Sequence, residues 1–265
     1  KYRPPENKIE NFFLDDKRTK PNELIVEGVS ELKQEIEQVK PTLIIALGNT
    51  SLWALKGTNG ITKWRGSMLS YGQAMLMPTY HPAHILRQWE VRSIAVHDLR
   101  RAKRAFDTSG WPQDLSRIQV RPSFSDVMDV LSTLIKRANE SKDPLPLASD
   151  IETRLKYIAC HAIAWSNDEA ISIPTLCVER PTGYWTLDQE LAIWERERTL
   201  LTHENVEIIG QNYLYDAQYF ARRRGYVPRL RHDTMFQQHV AYAGLPKGLD
   251  FLSSMYCRHH VYWKD

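Results

Sequence analysis

At 265 residues, 42% hydrophobic and 25% charged, with 12 Gly, 14 Pro and 8 Trp, the chain has the balance of a globular protein, which excludes collagen-like, mucin-like and disordered readings. The length suits one large domain or two ordinary ones of roughly 100–200 residues each. The net charge of +3 divides unevenly: residues 1–108 carry 17 basic and 12 acidic side chains, and the remainder carry 18 and 20. A mildly basic first half suits a polyanion, and an acidic second half suits a carboxylate site that holds metal. Apolar runs such as Leu43–Leu47 fall far short of the ~18 residues of a membrane helix, so no membrane partner is expected. Cys160, Cys177 and Cys257 are too few and scattered for a disulfide framework or a zinc site, and a reducing cytoplasm is expected. Lys1-Tyr2-Arg3-Pro4-Pro5 is not a signal peptide, and the missing initial Met leads to the expectation of a fragment.

A Pro-rich, charged stretch runs to Pro21. Leu32, Ile36 and Val39 then share one face of a helix that Pro41 stops. Thr42–Gly48 reads as a buried parallel strand entering a turn, followed by a helix from Ser51. A loop carries Lys63-Trp64-Arg65-Gly66, and Ala74–Thr79 is a second strand. The loop Tyr80-His81-Pro82-Ala83-His84 leads toward a helix bearing Arg100, Arg101, Lys103 and Arg104. These four could meet phosphate or form a solvated face. The alternation is α/β.

Ser-Gly, Trp-Pro and Arg121-Pro122 mark residues 109–122 as a linker. A helix from Ser125 to about Asn139 follows. Leu145–Thr153, Ile158–Trp165 and Glu169–Pro174 read as strands of an antiparallel meander. Leu187–His203 is helical, Val206–Gly210 a strand, and Tyr215–Arg224 a helix; Asp233 caps another helix, Thr234–Ala243.

Asp150-Ile151-Glu152 ends a strand, where residues i and i+2 project to one side. Two carboxylates held together favour a hard divalent cation, unless the strand end is exposed and both acids are solvated. Asn212 and Asp216, four apart at a helix start, share one helical face. Alone they read as a turn residue and a helix-start charge. With His232-Asp233-Thr234-Met235 and Leu249-Asp250-Phe251-Leu252 they form an ordered set. In that order the chain resembles, over residues 117–265, the 3′–5′ exonuclease domain (DEDD, ribonuclease H-like) of family A DNA polymerases. The resemblance implies a two-metal site of Mg²⁺ or Mn²⁺. Catalytic and metal-binding Asp150 would bridge both ions, with Glu152 on the nucleophile side and Asp216 on the other. Asn212, Tyr213 and Thr153 would touch a single-stranded 3′ end of DNA, with Tyr213 or Tyr215 stacking on bases or packing in the core. The family's Y-x-x-x-D is absent after Asp216; His260 and Asp265 have an H-x-x-x-x-D spacing but lie too close to the Leu249 segment to replace it. Weak or no activity is therefore expected of this chain alone.

In the first half, Arg3-Pro4-Pro5-Glu6-Asn7, Ala46-Leu47-Gly48, Arg65-Gly66, Pro78-Thr79-Tyr80-His81-Pro82-Ala83 and Asp98-Leu99 follow in order. Together they resemble the C-terminal part of a uracil-DNA glycosylase of the thermostable iron–sulfur families. His81 matches the His that stabilises the uracil anion, and Arg65 belongs to the same implied pocket. The cluster cysteine is Tyr2 here and no Cys precedes Cys160, so no iron–sulfur cluster is expected. The combined expectation is a two-domain α/β chain: residues 1–108 a partial glycosylase-like α/β/α sandwich, 109–122 a linker, and 123–265 a ribonuclease H-like exonuclease with a mixed sheet. This looks like the N-terminal portion of a bacteriophage-type family A DNA polymerase, implying proofreading for a polymerase domain downstream. A catalytically silent DNA-binding segment and uracil excision are the competing readings.

Overall fold

The computed structural model describes residues 11, 13–15 and 20–263. Its described residues form two compact units, one up to Gln113 together with Asp250 onward, the other Asp114–Leu249. Among the described residues no helix is long and apolar enough to cross a membrane.

In unit 1, α1 (Glu23–Val39) begins where Asn22 Oδ1 accepts from the Ile25 N–H at 3.1 Å. It ends at Lys40, whose φ of 47° breaks the helical path before Pro41. Strand β1 (Leu43–Leu47) leads into α2 (Gly48–Lys56) and the single turn α3 (Ile61–Trp64). Strand β2 (Leu69–Tyr71) is antiparallel to β3 (Ala74–Thr79), and β3 is parallel to β1 on its other side, giving the order β1-β3-β2. All six residues of β3 are buried, which is why it reads as a continuous apolar run. Helices α4 (Pro82–Arg87) and α5 (Arg92–Asp107) complete this part.

The sequence reading runs the second domain to residue 265, whereas the structure groups Asp250 onward with unit 1. Hydrogen bonds give the reason. Arg101 donates to the carbonyls of Ser254 (2.7 Å) and Cys257 (3.1 Å). The Met68 N–H donates to the His260 carbonyl at 2.8 Å, and the Tyr262 N–H to Ser67 Oγ at 3.1 Å.

Unit 2 is built on one six-stranded mixed sheet. Residues 117–120, inside the stretch read as a linker, form edge strand β4 (Arg117–Val120). Helix α6 (Phe124–Glu140) starts with a capping box between Ser123 and Asp126. Strands β5 (Leu145–Arg154), β6 (Tyr157–Ala164) and β7 (Glu169–Pro174) form the expected antiparallel meander. After α7 (Leu187–Leu201), β8 (Val206–Gly210) pairs parallel with β5. Helix α8 (Leu214–Arg224) leads to β9 (Leu230–Asp233), parallel to β8, and then to α9 (Thr234–Ala241). The order β4-β7-β6-β5-β8-β9, antiparallel within the meander and parallel at β4–β7 and beyond β5, makes a mixed sheet. One face packs on Val127, Leu131, Leu134 and Ala138 of α6, spaced by three or four residues. Ile193, Leu200 and Leu201 of α7 join the same core. A further helix, α10 (Leu249–Tyr256), begins where this unit ends.

Candidate functional site

The pleat of β5 decides which side chains reach solvent. Leu145, Leu147, Ser149 and Ile151 are buried, whereas Ala148, Asp150 and Glu152 are exposed on the opposite face. Asp150 pairs across the sheet with Ala162, Glu152 with Cys160, and a bulge follows between Glu152 and Thr153. Bulges of this kind bend a strand and re-aim its side chains, often beside functional sites.

Asp216, in the first turn of α8, reaches β5 from the other side. Its Oδ1 accepts the Ile151 N–H at 2.9 Å, placing the carboxylate between Asp150 and Glu152 in sequence register. It is only 4% exposed. Burial pushes its pKa up to about 6, the Asp150 charge adds to the rise, and the Ile151 hydrogen bond opposes it.

The turn from β8 into α8 needs two special features. Gly210 lies under the Tyr213 ring, where an added Cβ would come within 2.2 Å of Tyr213 Cδ2. Asn212 takes φ 53°, a left-handed conformation that Asn tolerates. Asp233 then clamps this turn. Its Oδ1 accepts from the Asn212 N–H (3.1 Å) and its Oδ2 from the Tyr213 N–H (2.8 Å), while it also caps α9 through the Met235 N–H (2.9 Å). The sequence shows Asp233 as a cap; its hold on the preceding helix is visible only in three dimensions.

Tyr213 is fully buried, so it cannot stack on a base, and its placement among DNA contacts is corrected to a core position. Its hydroxyl shares a hydrogen bond with Ser149 Oγ at 2.8 Å. Ser149 also meets His161 Nε2 (3.0 Å), His161 Nδ1 meets Glu197 Oε1 (2.7 Å), and Arg224 donates to Glu197. Glu197 and His161 are fully buried. Burial alone would raise the Glu197 pKa, but Arg224 and His161 hold it below the usual carboxylate range. This polar chain passes under the carboxylates through Ser149, the neighbour of Asp150. Its members are far apart in sequence, and no motif marks them.

Thr153 shares a hydrogen bond with the Tyr215 hydroxyl at 2.6 Å, tying β5 to α8. Tyr215 is 42% exposed, and Asn212 is exposed. Beside Asp150, the small side chains of Ala148, Ala162, Ala164 and Ala170 leave a groove of about 260 Å³, walled by Gln211 and Thr234.

Asp150 and Asp216 are close enough for one charge to raise the other's pKa, a pairing that a cation relieves. Glu152 projects from the same strand face. Among the described residues, however, no three His, Cys, Asp or Glu gather tightly enough to hold an ion. The fit is therefore to a two-carboxylate site with a third acid alongside.

In unit 1, His81 is exposed and precedes α4, its Nδ1 accepting the Ala83 N–H at 3.1 Å. It rests on Gly48, where an added Cβ would stand 3.0 Å from the His81 Cβ. Arg65, read from the sequence as part of the implied glycosylase-like pocket, is buried, only 1% exposed. It forms a buried pair with Asp98, which also accepts from Thr79 Oγ1 at 2.8 Å, and donates to Ser254 Oγ at 2.7 Å. Arg101 is also buried and bound to carbonyls, so it is no surface phosphate contact. His260 is buried in unit 1, and burial, then Arg101 and Arg65, lower its pKa to about 4. Asp265, Tyr2 and the Arg3–Asn7 segment lie outside the described residues.

Comparison with known proteins bears on both units. Residues 1–102 match the family model of the uracil DNA glycosylase superfamily. A protein named DNA polymerase, from Bacillus phage SP01, is 32% identical over 99 residues, which are 37% of this chain and 10% of that protein. The chain thus spans about a tenth of the curated relative it matches. Among solved structures, Escherichia coli RNase D, described as an exoribonuclease involved in structured RNA processing, aligns with a TM-score of 0.38 and 14% identity over 53% of this chain and 33% of that one. The catalytic core of RRP6 from Trypanosoma brucei aligns with a TM-score of 0.40 and 11% identity over 54% and 35%. Brucella melitensis NrnC bound to pGG aligns at 0.39 and 14% over 57% and 65%. Residues 1–102 are thus similar to the uracil DNA glycosylase superfamily, and the unit that follows is built on a mixed sheet.

Proposed function

We propose that unit 2 is a metal-dependent 3′–5′ DNA exonuclease that serves proofreading by a DNA polymerase, and that the glycosylase-like region in front binds DNA. The observation that carries this reading is the buried Asp216 carboxylate, fastened to the Ile151 N–H beside exposed Asp150 and Glu152. Asp150, Glu152 and Asp216 would hold Mg²⁺ or Mn²⁺. Divalent metal held there would supply an acidified water and charge neutralisation at the scissile phosphate. Ile151 keeps one Asp216 oxygen occupied and so fixes the direction of the other. The alanine-floored groove beside Asp150 would receive the terminal base of a frayed single strand. Exposed Tyr215 would stack on the next base, with Asn212 and Thr153 at its side. The partner polymerase would follow this region in the full protein, and the work would take place in the cytoplasm of a host cell.

The lack of a three-donor cluster among the described residues favours a second reading, a catalytically silent DNA-binding segment. The two separate on one experiment: nucleotide release from a 3′-labelled single strand with Mn²⁺, alongside the melting temperature with and without Mn²⁺. The exonuclease reading expects Mn²⁺ to raise the melting temperature and any release to vanish in Asp150→Ala. Absence of both release and Mn²⁺ stabilisation would hand the site to the silent reading.

A further inference from the structure

Unit 1 holds a cavity of about 530 Å³ whose wall contains no acidic side chain. Arg101, Arg104 and Arg258 line it, and Trp111 and Tyr256 add aromatic walls. Arg101 is held by three neutral acceptors, the carbonyls of Gly66, Ser254 and Cys257. Asp98, the nearby carboxylate, is already paired with Arg65. The side chains of Arg104 and Arg258 make no ion pair or hydrogen bond among the described residues. The Trp111 ring is pinned, its Nε1 donating to the Leu69 carbonyl at 2.7 Å.

Three guanidinium groups around one cavity repel one another, and an anion relieves that repulsion. Guanidinium forks match phosphate oxygens two at a time. The volume lies within the roughly 300–1,000 Å³ of small-ligand sites. Aromatic walls beside cationic ones are the elements of single-strand binding, in which charge tracks the backbone and rings take the bases.

We propose that this cavity binds one nucleotide of a single-stranded nucleic acid, its phosphate between Arg104 and Arg258 and its base toward the Trp111–Tyr256 wall. The site is separate from the carboxylates of β5 and does not depend on their chemistry. It uses Arg104, which the sequence places in a basic helical run, together with Arg258, more than 150 residues later.

The test is fluorescence anisotropy of a dye-labelled oligo-dT strand with the full chain, in EDTA, over a salt series. Arg104→Ala/Arg258→Ala should weaken binding at least about tenfold and reduce the salt slope by about 0.7, the loss of one phosphate contact on a single strand. Arg104→Lys/Arg258→Lys should restore most of the slope but not the full affinity, because Lys keeps the charge and loses the fork. Lys103→Ala, on the same helix and paired with Asp107, is the matched control and should bind as the parent does. Both arginines are exposed, and unchanged melting temperatures would show that the fold is kept. Parent-like affinity and slope in the double Ala variant would overturn the proposal. Binding of dTMP as tight as that of the strand would also overturn it, in favour of a free nucleotide. So would arginine-dependent binding to phosphatidylglycerol vesicles with none to oligo-dT. Arginine-dependent strand binding in EDTA would uphold this site whatever Mn²⁺ does at the carboxylates of unit 2, so the two readings stand or fall separately.

Discussion

Asp150 and Glu152 keep their carboxylates on the exposed face of β5, whereas Arg65 is drawn inside unit 1 and is 1% exposed. Both sets stand out in the sequence as polar residues next to apolar strands. The strand pleat separates their fates on one side: alternate residues of β5 must face away from the core. Arg65 lies in a loop that no periodicity governs; Asp98 and Ser254 converge on it from distant positions, and Thr79 holds Asp98 in turn. Burial would push the Asp98 pKa up, but hydrogen bonds from Arg65 and its neighbours hold it below the usual range. A charged residue in a motif is thus available for chemistry in one region and consumed by architecture in the other.

The largest expected effect breaks this comparison at its buried end. Asp98→Ala leaves Arg65 buried without its partner and should cost about 3–5 kcal/mol in urea unfolding, whereas exposed Asp150→Ala should change stability by no more than ~0.5 kcal/mol. Similar costs for both would mean that Asp150 is structural and that the contrast fails.

The next effect concerns pH. Asp216 has a folded-state pKa of about 6, above the 3.8 of an unperturbed Asp. The folded state therefore binds its proton more tightly than the unfolded chain does, so the ionised form opposes folding. This contribution favours the fold below about pH 4 and is lost as pH rises through about 6. Asp216→Asn keeps an acceptor for the Ile151 N–H and should remove that slope. Relative to the parent it should gain roughly 1–3 kcal/mol between pH 4 and pH 7 in metal-free buffer, at about 1.4 kcal/mol per pKa unit. Parallel pH–stability curves for the two proteins would show that Asp216 is neither desolvated nor held beside a like charge.

Smaller effects sharpen the picture. Tyr213→Phe keeps the buried ring and removes its hydroxyl bond to Ser149, so it should cost about 1 kcal/mol and leave oligonucleotide affinity unchanged. A loss of affinity at parental stability would return Tyr213 to the DNA surface. Thr186→Ala deletes the capping box of α7, far from both motifs, and should cost about 1 kcal/mol with no change in binding. It sets the baseline for an ordinary local loss.

Much of unit 2 is legible in the sequence because its elements are long and periodic. The meander of β5, β6 and β7 and the helices α6, α7 and α8 lie where apolar spacing and turn residues place them. The short strands β2, β4 and β9, of three or four residues, are not, because so few residues carry no period. Of the candidate site, Asp150 and Glu152 are visible as a strand pair, and Asp216 as a helix-start acid. The Ser149–His161–Glu197–Arg224 chain is invisible because each member is an ordinary residue until the sheet and two helices assemble around it.

By itself the amino-acid order determined the alternating α/β architecture, the shared face of Asp150 and Glu152, and the basic bias of the first half. Those properties follow from backbone period and composition, which are local. Only the tertiary structure decided that Arg65 and Tyr213 are buried, that Asp216 bonds the Ile151 N–H next to Asp150, and that residues from Asp250 onward join unit 1. Each of these depends on contacts between segments separated by tens to hundreds of residues, where hydrogen bonds and desolvation act between partners that no local pattern can pair.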